Sequence, residues 1–500
     1  MDKYRAPIYE KMAEHHLQRT ASFHVPGHKS GQGLYGGAES FFAGVLAIDY
    51  TEITGLDDLH RPSGAIKEAQ SLAAECFGAE ETLFLIGGST VGNLALITAI
   101  CGPGDILIVQ RNVHKSVLHG LMLAGARAVF VSPRCDEQSG LVTGVRTEDI
   151  DQALQRYPEA KGVLLTNPNY YGMGIDLTPI AKLAHAHGKP LLIDEAHGAH
   201  FGFHPDLPSS ALKCGADAVV QSTHKMLTAM TMGAMLHLQG DIVDRDTVKQ
   251  RLAMLQSSSP SYPIMASLDL ARREAAVNGP SRIEAALPDI ARLRERIGEL
   301  ECYDVAARRP ETTAYETFDP FKLTIADRTG MLNGFMLQEE LEQRGCFAEM
   351  ADTEHVLLVL SLVSTSQDYE RLYEALADIA ISRNLRNNAE ERLRRIGSNN
   401  RDNRVWASGL SGSVSEPVLF TMTIGQGQVE TVSLEEAEGW ISAEMVIPYP
   451  PGIPLLYPGE RITDACIAEL LRLAKFGARF QGPADKSLRY LRVYVDRPAD

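Results

Sequence analysis

The sequence predicts an α/β protein whose large domain is built on a mostly parallel sheet. From about residue 80 to 240, short apolar runs rich in β-branched residues alternate with amphipathic stretches, a pattern typical of repeated β-α-β units. An acid, Asp194, ends one of these runs, and Lys225 follows the next run along the chain. Ligands of such folds bind at the carboxyl ends of the strands, so we expect a site there.

The strands of the predicted sheet are short apolar runs with helical patterns between them. They are Thr82–Ile86, Ile106–Val109, Ala128–Val131, Gly162–Leu165, Leu191–Ile193, Ala218–Val220 and Gly233–His237. Parallel strands buried on both faces have this almost uninterrupted apolar character.

The alternation changes after about residue 270, which indicates a smaller α+β domain. Its predicted elements are a helix over Ser267–Leu300, a strand at Lys322–Ile325, a helix over Gly334–Arg344 and a strand at His355–Leu360. Residues 1–50 are loop-rich, and residues 383–404 form a charged helix end and linker. We therefore predict an N-terminal arm (1–50), a large cofactor-binding domain (51–270), a small domain (271–395) and a C-terminal domain (396–500).

Composition excludes several classes of protein. The net charge of −16 argues against nucleic acid or an anionic membrane as the main partner, and it is compatible with a cationic substrate. The seven cysteines are scattered without a Cys-x-x-Cys pair, so neither a disulfide framework nor a metal site is expected. The chain begins without an apolar signal segment and carries no run long enough to span a bilayer. We expect a cytoplasmic protein.

The pairing of Asp194 with Ser222-Thr223-His224-Lys225 predicts pyridoxal phosphate (PLP) chemistry. A lysine supplies the Schiff-base amine, and a carboxylate keeps the pyridine nitrogen protonated so that the ring accepts an electron pair. An acid that ends a buried strand needs a partner. A structural arginine or a helix N-terminus would serve Asp194 equally well, and most lysines are solvated surface groups.

Further polar residues near the strand ends extend this hypothesis. The turn Gly87-Gly88-Ser89-Thr90 follows a strand and opens a helix, so it predicts either a phosphate site or simply a good helix cap. His114 follows another strand, where it would cover a planar ring or be an incidental polar residue. His197 would contact the substrate carboxylate or a cofactor hydroxyl, or orient Asp194. Ser222 and His224 would bind the phosphate and assist proton transfer.

With these residues in place, the chain resembles the bacterial Orn/Lys/Arg decarboxylases of the short type, PLP enzymes of the aspartate-aminotransferase-like fold type I. The resemblance covers nearly the whole chain. It rests on Phe-His-Val-Pro-Gly-His-Lys (23–29), Thr-Glu-Ile-Thr-Gly-Leu-Asp-Asp-Leu-His (51–60), the Gly-Ser-Thr turn, Arg-Asn-Val-His-Lys-Ser (111–116), Asp-Glu-Ala-His-Gly-Ala-His (194–200), Ser-Thr-His-Lys (222–225), Gln-Ser-Ser-Ser-Pro-Ser-Tyr (256–262) and the Pro-rich segment 448–460.

The resemblance implies roles for individual residues. Lys225 would form the imine with PLP, Asp194 would pair with the pyridine nitrogen, and His114 would stack on the ring with Ala196 on its other face. The phosphate would be held by Ser89, Thr90, Ser222 and His224. The family's active sites lie between two subunits, with the Ser-Ser-Pro-Ser-Tyr segment (258–262) near the neighbour's phosphate, which implies a homodimer or larger homo-oligomer with shared active sites.

The function predicted from the sequence is PLP-dependent decarboxylation of arginine, lysine or ornithine, a reaction of polyamine biosynthesis. Glu444 and Glu460 are candidates for binding the distal cation of the substrate, although they would serve equally as surface carboxylates. At Gly87, Thr231-Met232 and Trp440 the chain differs from the residues that many members of this family carry, which leaves the choice of substrate open. A transaminase or elimination reaction on the same fold is the first alternative, and a catalytically silent regulatory protein is the second.

Overall fold

The computed structural model describes residues 2–385, 413–422, 429–449 and 452–495. The chain divides into two compact units: residues 1–100 with 177–283, and residues 101–176 with 284–500. In the described part of the chain, no helix has the length and apolar character needed to cross a membrane. The described residues also contain no group of three or more His, Cys, Asp or Glu side chains arranged for a metal ion.

The helices of the described residues are, in chain order, α1 (Pro7–Leu17), α2 (Glu39–Leu46), α3 (Ala65–Phe77), α4 (Gly88–Ile100), α5 (Lys115–Ala124), α6 (Thr147–Arg156), α7 (Thr178–Ala186), α8 (Thr223–Met226), α9 (Arg245–Leu255), α10 (Tyr262–Gly298), α11 (Gly334–Gln343), α12 (Ser366–Ser382) and α13 (Asp464–Lys475), with a 3-10 turn at Leu434–Glu436.

The strands are β1 (Glu81–Leu85), β2 (Ile106–Gln110), β3 (Arg127–Val131), β4 (Val163–Thr166), β5 (Met173–Gly174), β6 (Leu191–Asp194), β7 (Ala218–Gln221), β8 (Ala234–Leu238), β9 (Tyr303–Val305), β10 (Thr317–Phe318), β11 (Lys322–Asp327), β12 (Met350–Ala351), β13 (His355–Val359), β14 (Val418–Leu419), β15 (Val429–Ser433), β16 (Ile441–Ser442), β17 (Ile447–Pro448), β18 (Phe480–Gln481) and β19 (Tyr490–Tyr494).

In the first unit, four buried strands lie in the order β1-β8-β7-β6. Strand β8 runs antiparallel to both β1 and β7, whereas β6 and β7 are parallel. Strands β1, β6 and β7 therefore share one direction, and their carboxyl ends meet at one edge. Helix α4 packs on β1, β7 and β8. The close approach requires Gly92, because a Cβ there would lie 2.8 Å from both Leu85 Cδ1 and Val220 Cγ1.

The second unit contains strands in the order β4-β2-β3-β14, with β2 parallel to β3 and β4 and with β14 antiparallel to β3. A separate antiparallel sheet has the order β12-β13-β11-β9 and carries helix α11. Strands β15-β19-β16 form a further sheet near the C-terminus. Its core packs around Leu456, Leu470 and Val493, with Trp440 against the edge of that cluster.

The fold class is confirmed, since the chain is α/β with mostly parallel strands in the large-domain region. Each of the predicted strands of the large domain is present with its ends shifted by at most one residue. Helices α1 and α2 lie in the region predicted to be loop-rich. The predicted linker at 383–404 lies mainly outside the described residues, and the predicted domain boundaries stay a prediction.

Candidate active site

The carboxyl ends of β6 and β7 bring the two central residues of the sequence hypothesis onto adjacent strands. Asp194 is the last residue of β6 and pairs in register with Val220 of β7. Ser222 follows β7 as the N-cap of α8, the short helix that carries Lys225. Because parallel neighbours present their carboxyl ends at the same edge, the acid and the lysine belong to one site.

Asp194 is buried, with 3% of its surface exposed, and neutral groups hold its carboxylate. The Asn93 amide donates to Oδ2 at 2.8 Å, and the backbone N–H of Ala196 donates to Oδ1 at 3.1 Å. Burial raises the pKa of Asp194 above its usual value, although the Asn93 bond and the nearby Lys225 act in the opposite direction. A cation bound to this carboxylate would therefore relieve a desolvation cost.

Lys225 lies beside a buried imidazole. Its Nζ is 3.0 Å from Nε2 of His197, and only 3% of His197 is exposed. The sequence left three roles open for His197, and the contact that the structure shows is with the lysine amine. The amine donates a hydrogen bond to Nε2 when the imidazole is neutral, so His197 orients Nζ.

The phosphate turn and the lysine helix meet through their hydroxyls. Helix α4 begins at Gly88, whose φ of +73° is the left-handed conformation that favours glycine. Ser89 lies in the first turn of α4, and the Ser222 hydroxyl donates to its Oγ at 2.8 Å. Thr90 is exposed at the same helix N-terminus. These hydroxyls and the helix N-terminus form a site suited to an anion.

His224 and Ala196 complete the predicted set in the first unit. His224 Nδ1 lies 2.9 Å from the carbonyl oxygen of Gly233, so Nδ1 carries the proton and the other ring nitrogen is the acceptor in the neutral imidazole. Ala196 is buried two residues after Asp194. Its backbone N–H bonds to the Asp194 carboxylate, so Ala196 lies directly beside that group.

His114 belongs to the second unit, where it caps helix α5. Its Nδ1 accepts the backbone N–H of Ser116 at 3.2 Å and lies 2.8 Å from that residue's hydroxyl. Gly452 contacts the imidazole closely, because a Cβ at this glycine would lie 3.3 Å from His114 Nε2. The sequence analysis allowed His114 to be an incidental polar residue, and in the structure that residue has a specific role as the cap of helix α5. The stacking role of His114 stays a prediction.

The two carboxylates considered for the substrate cation are used inside the second unit. Glu460 forms an ion pair with Arg111 at 2.9 Å, and both side chains are buried. Glu444 accepts the backbone N–H groups of Ala484 at 2.9 Å and Arg492 at 3.3 Å. The alternative that they are surface carboxylates is wrong, since each is 7% exposed. Both contribute to structure through these bonds.

Two residues that the sequence analysis left without a role support the site. Asn93 lies one helical turn after Ser89, and that spacing could have placed it beneath the phosphate turn. Gln256 accepts the backbone N–H of Ile86 at 2.8 Å and so holds the entry to the turn. The motif around Gln256 carried no signal for this contact, because it depends on tertiary packing.

The groups assembled in the first unit match the chemistry of PLP. A buried carboxylate suits a protonated ring nitrogen, a lysine amine beside an imidazole suits an aldehyde, and a helix N-terminus with paired hydroxyls suits a phosphate. Each element is held by bonds within the unit. The residues present therefore fit this cofactor.

Comparisons with family models and with known proteins agree on one family. The model of the Orn/Lys/Arg decarboxylase major domain matches residues 6–313, and the model of the C-terminal domain of the same family matches residues 405–486. The uncharacterized protein YaaO of Bacillus subtilis (strain 168) is 42% identical over 494 residues, covering 98% of both chains. An arginine decarboxylase of Bacillus subtilis is 35% identical over 505 residues, covering 100% of both chains.

Solved structures show the same fold at lower identity. The lysine decarboxylase LdcF of Francisella novicida superposes with a TM-score of 0.81 at 21% identity, covering 98% of this chain and 81% of that one. A serine palmitoyltransferase of Sphingomonas wittichii has a TM-score of 0.51 at 18% identity over 64% of this chain and 77% of that one. A structure titled SPT with PLP has the same score at 16% identity, covering 69% and 82%.

Proposed function

Because the chain belongs to the Orn/Lys/Arg decarboxylase family, we propose that it uses PLP to decarboxylate a basic L-amino acid to the corresponding amine and carbon dioxide. The observation that carries the proposal is the placement of buried Asp194 and Lys225 at the ends of two adjacent parallel strands. Arginine is the first candidate substrate, ahead of lysine and ornithine, because relatives covering the full chain are named arginine decarboxylases.

PLP, when bound, supplies a ring that accepts the electron pair left by the departing carboxylate. Asp194 keeps a proton on the ring nitrogen, and its burial makes that interaction stronger than it would be in water. Asn93 and the Ala196 N–H keep the carboxylate in place, so little reorganisation is needed as charge develops.

Lys225 and His197 handle the amine and its proton. Nζ must lose a proton before it reacts with an aldehyde, and Nε2 of His197 at 3.0 Å is placed to take it. The proton held by the Lys225–His197 pair would then be available to the substrate carbon. Ser89, Thr90, Ser222 and His224 would hold the phosphate of the cofactor and so keep the cofactor in place.

We also propose that the active protein is a cytoplasmic homodimer or a larger assembly. Large apolar side chains of the N-terminal arm are exposed, among them Leu17 at 78%, Phe23 at 95%, Tyr35 at 83% and Phe41 at 85%. Several exposed large apolar side chains in one segment are typical of a protein interface, and a second copy of the chain fits the family resemblance. Sedimentation velocity tests this point, since a monomer at micromolar concentration would contradict it.

A product assay tests the function. Purified protein with PLP is incubated with L-arginine, L-lysine and L-ornithine, with L-leucine and L-glutamate as controls. We expect carbon dioxide and the matching amine from at least one basic substrate and none from the controls, because a site with a carboxylate partner for the substrate cation rejects apolar and anionic side chains. Stoichiometric keto acid without carbon dioxide would support the aminotransferase alternative. An absorption spectrum without a bound-PLP band would favour the regulatory alternative.

A further inference from the structure

A chain of buried polar side chains crosses all four strands of the first unit. It consists of Thr82 in β1, His237 in β8, Gln221 in β7 and Glu195 directly after β6, and we call it the cross-strand polar chain. Each of the four is at most 1% exposed. Buried polar groups are costly unless they are bonded, so their place in the core calls for an explanation.

The members of the cross-strand polar chain are joined by hydrogen bonds in strand order. Thr82 Oγ1 lies 2.8 Å from His237 Nδ1, and His237 Nε2 lies 3.1 Å from Gln221 Oε1. The Gln221 amide donates to Glu195 Oε2 at 2.7 Å, and the other Glu195 oxygen accepts the backbone N–H of Ala211 at 2.8 Å. The cross-strand polar chain therefore links β1, β8, β7 and the end of β6.

The cross-strand polar chain lies behind the candidate active site. Successive side chains in a strand point to opposite faces of the sheet. Glu195 follows Asp194, and Gln221 precedes Ser222, so the pair Glu195–Gln221 lies on the face away from the Asp194 carboxylate. The bond between this pair joins the ends of β6 and β7, the strands that carry the acid and the lysine helix.

The cross-strand polar chain can form its hydrogen bonds with two different arrangements of protons. Burial lowers the pKa of His237 to about 3 and raises the pKa of Glu195 to about 8, so both side chains are mainly neutral at pH 7. Rotation of the Gln221 amide by half a turn lets a protonated Glu195 donate to it, while the amide donates to His237 Nε2 and His237 donates to Thr82. Every bond between side chains is kept in both arrangements.

We propose that the cross-strand polar chain is a positioning element that fixes the spacing between the ends of β6 and β7, and thereby between Asp194 and Lys225. The effect on turnover rests on the proposed function, whereas the effect on strand ends does not. A hydrogen-bonded link of 2.7 Å between the two strand ends restrains them more tightly than apolar packing, because its strength depends on distance and direction.

The test compares Gln221→Met, which removes both bonds of the amide at nearly constant volume, with Asp217→Leu. Asp217 is a matched control because it joins the opposite ends of the same strands, where its Oδ2 accepts the Leu191 N–H at 2.8 Å and lies 2.9 Å from His185 Nε2. Hydrogen exchange of the cofactor-free proteins is measured first. We expect faster exchange at residues 194–198 and 221–226 in Gln221→Met and not in Asp217→Leu.

Turnover and cofactor spectra are measured next, at temperatures well below unfolding. We expect Gln221→Met to lower kcat by about 10-fold to 100-fold, the cost of misplacing reacting groups by up to about 1 Å, with KM little changed. Its bound-PLP absorbance should shift as well. Asp217→Leu should lose stability and keep both kcat and the spectrum. Equal losses of kcat in the two variants, or unchanged exchange in Gln221→Met, would overturn the proposal.

A second pair of variants separates hydrogen bonding from folding. Glu195→Gln still bonds to Gln221 and to the Ala211 N–H in the second arrangement, so kcat should stay within about threefold of the parent, whereas Glu195→Met should behave like Gln221→Met. Equal behaviour of Gln and Met at this position would overturn the proposal. Parent protein that produces no amine from any basic amino acid contradicts the proposed function alone, because the exchange measurement needs neither cofactor nor substrate.

Discussion

Two buried carboxylates, Asp194 in the first unit and Glu460 in the second, have opposite kinds of partner. Glu460 binds the guanidinium of Arg111 at 2.9 Å and accepts the backbone N–H of Tyr457 at 3.2 Å. Asp194 accepts from an amide and a backbone N–H, with Lys225 close enough to act on its pKa. One carboxylate is neutralised by its own chain, while the other is prepared for a cation that a ligand would bring.

The difference shows how the same residue type serves structure in one place and chemistry in another. Moving an ion into a protein interior costs several kcal/mol even after relaxation. Burial alone would lower the pKa of Arg111, but the nearby Glu460 outweighs burial and the net pKa is raised. Burial raises the pKa of Glu460 as well as that of Asp194, so the two carboxylates differ in their partners: a guanidinium binds Glu460, whereas an amide and a backbone N–H bind Asp194. A ring cation would supply the missing partner.

The largest effect is expected from Lys225→Ala, which removes the amine near the Asp194 carboxylate. Borohydride treatment should no longer fix PLP to the chain, because no other lysine lies in this context, and amine production should disappear. Mass spectrometry of the reduced protein checks the first point. A phosphopyridoxyl-lysine peptide from this variant would assign the reactive amine elsewhere. The variant should remain folded, since Lys225 is only partly buried.

The next effect tests the structural carboxylate. Glu460→Gln should destabilise the protein by about 3–5 kcal/mol, because it leaves the buried charge of Arg111 without its counter-ion. Urea unfolding of the variant measures the loss. The double variant Arg111→Met/Glu460→Leu is the control, and it should recover most of the stability because neither charge remains. A single variant within about 1 kcal/mol of the parent would show that the pair is not needed.

Asp194→Asn should reduce kcat by about 10²–10³, or roughly 3–4 kcal/mol of barrier, because an amide cannot keep the ring nitrogen protonated. The stability of the cofactor-free protein should rise in Asp194→Asn at neutral pH, whereas it should fall in Glu460→Gln. The folded state holds the Asp194 proton more tightly than the unfolded state, so the cofactor-free parent loses stability as pH rises from about 3.9 through the raised pKa. The variant should lack this slope in urea unfolding across that range. Near-normal turnover would refute the assigned role.

The smallest effect is expected from Gly92→Ala, which disturbs the partner of Asp194 without changing charge. The added Cβ would lie 2.8 Å from Leu85 and Val220, so helix α4 must shift, at a cost of about 1–3 kcal/mol. Asn93, the next residue, should then hold Asp194 less well and lower kcat modestly. Gly298→Ala is the control, because a Cβ there has no neighbour within 4 Å. Indistinguishable stability of the two variants would show that α4 is not tightly seated.

Prediction from the sequence succeeded where local pattern governs structure. The apolar runs that end near Asp194 and Gln221 are strands because their buried residues satisfy both faces of a sheet, and the Gly87–Gly88 turn opens a helix because glycine adopts positive φ at no steric cost. The residue types at those strand ends also led to the hypothesis of PLP chemistry, and the roles of the individual site residues stay predictions. The domain boundaries and the stacking role of His114 stay predictions.

The sequence by itself determined the order of strands and helices and the family, and it proposed Asp194 and Lys225 as the acid and the lysine, since each depends on residues close together in the chain or on a recurring motif. The tertiary structure decided the partners: Asn93 for Asp194, His197 for Lys225, Arg111 for Glu460, and the cross-strand polar chain behind them. These contacts join residues up to 349 positions apart. No local pattern records them, because burial and hydrogen-bond distance are set only when the strands pack together.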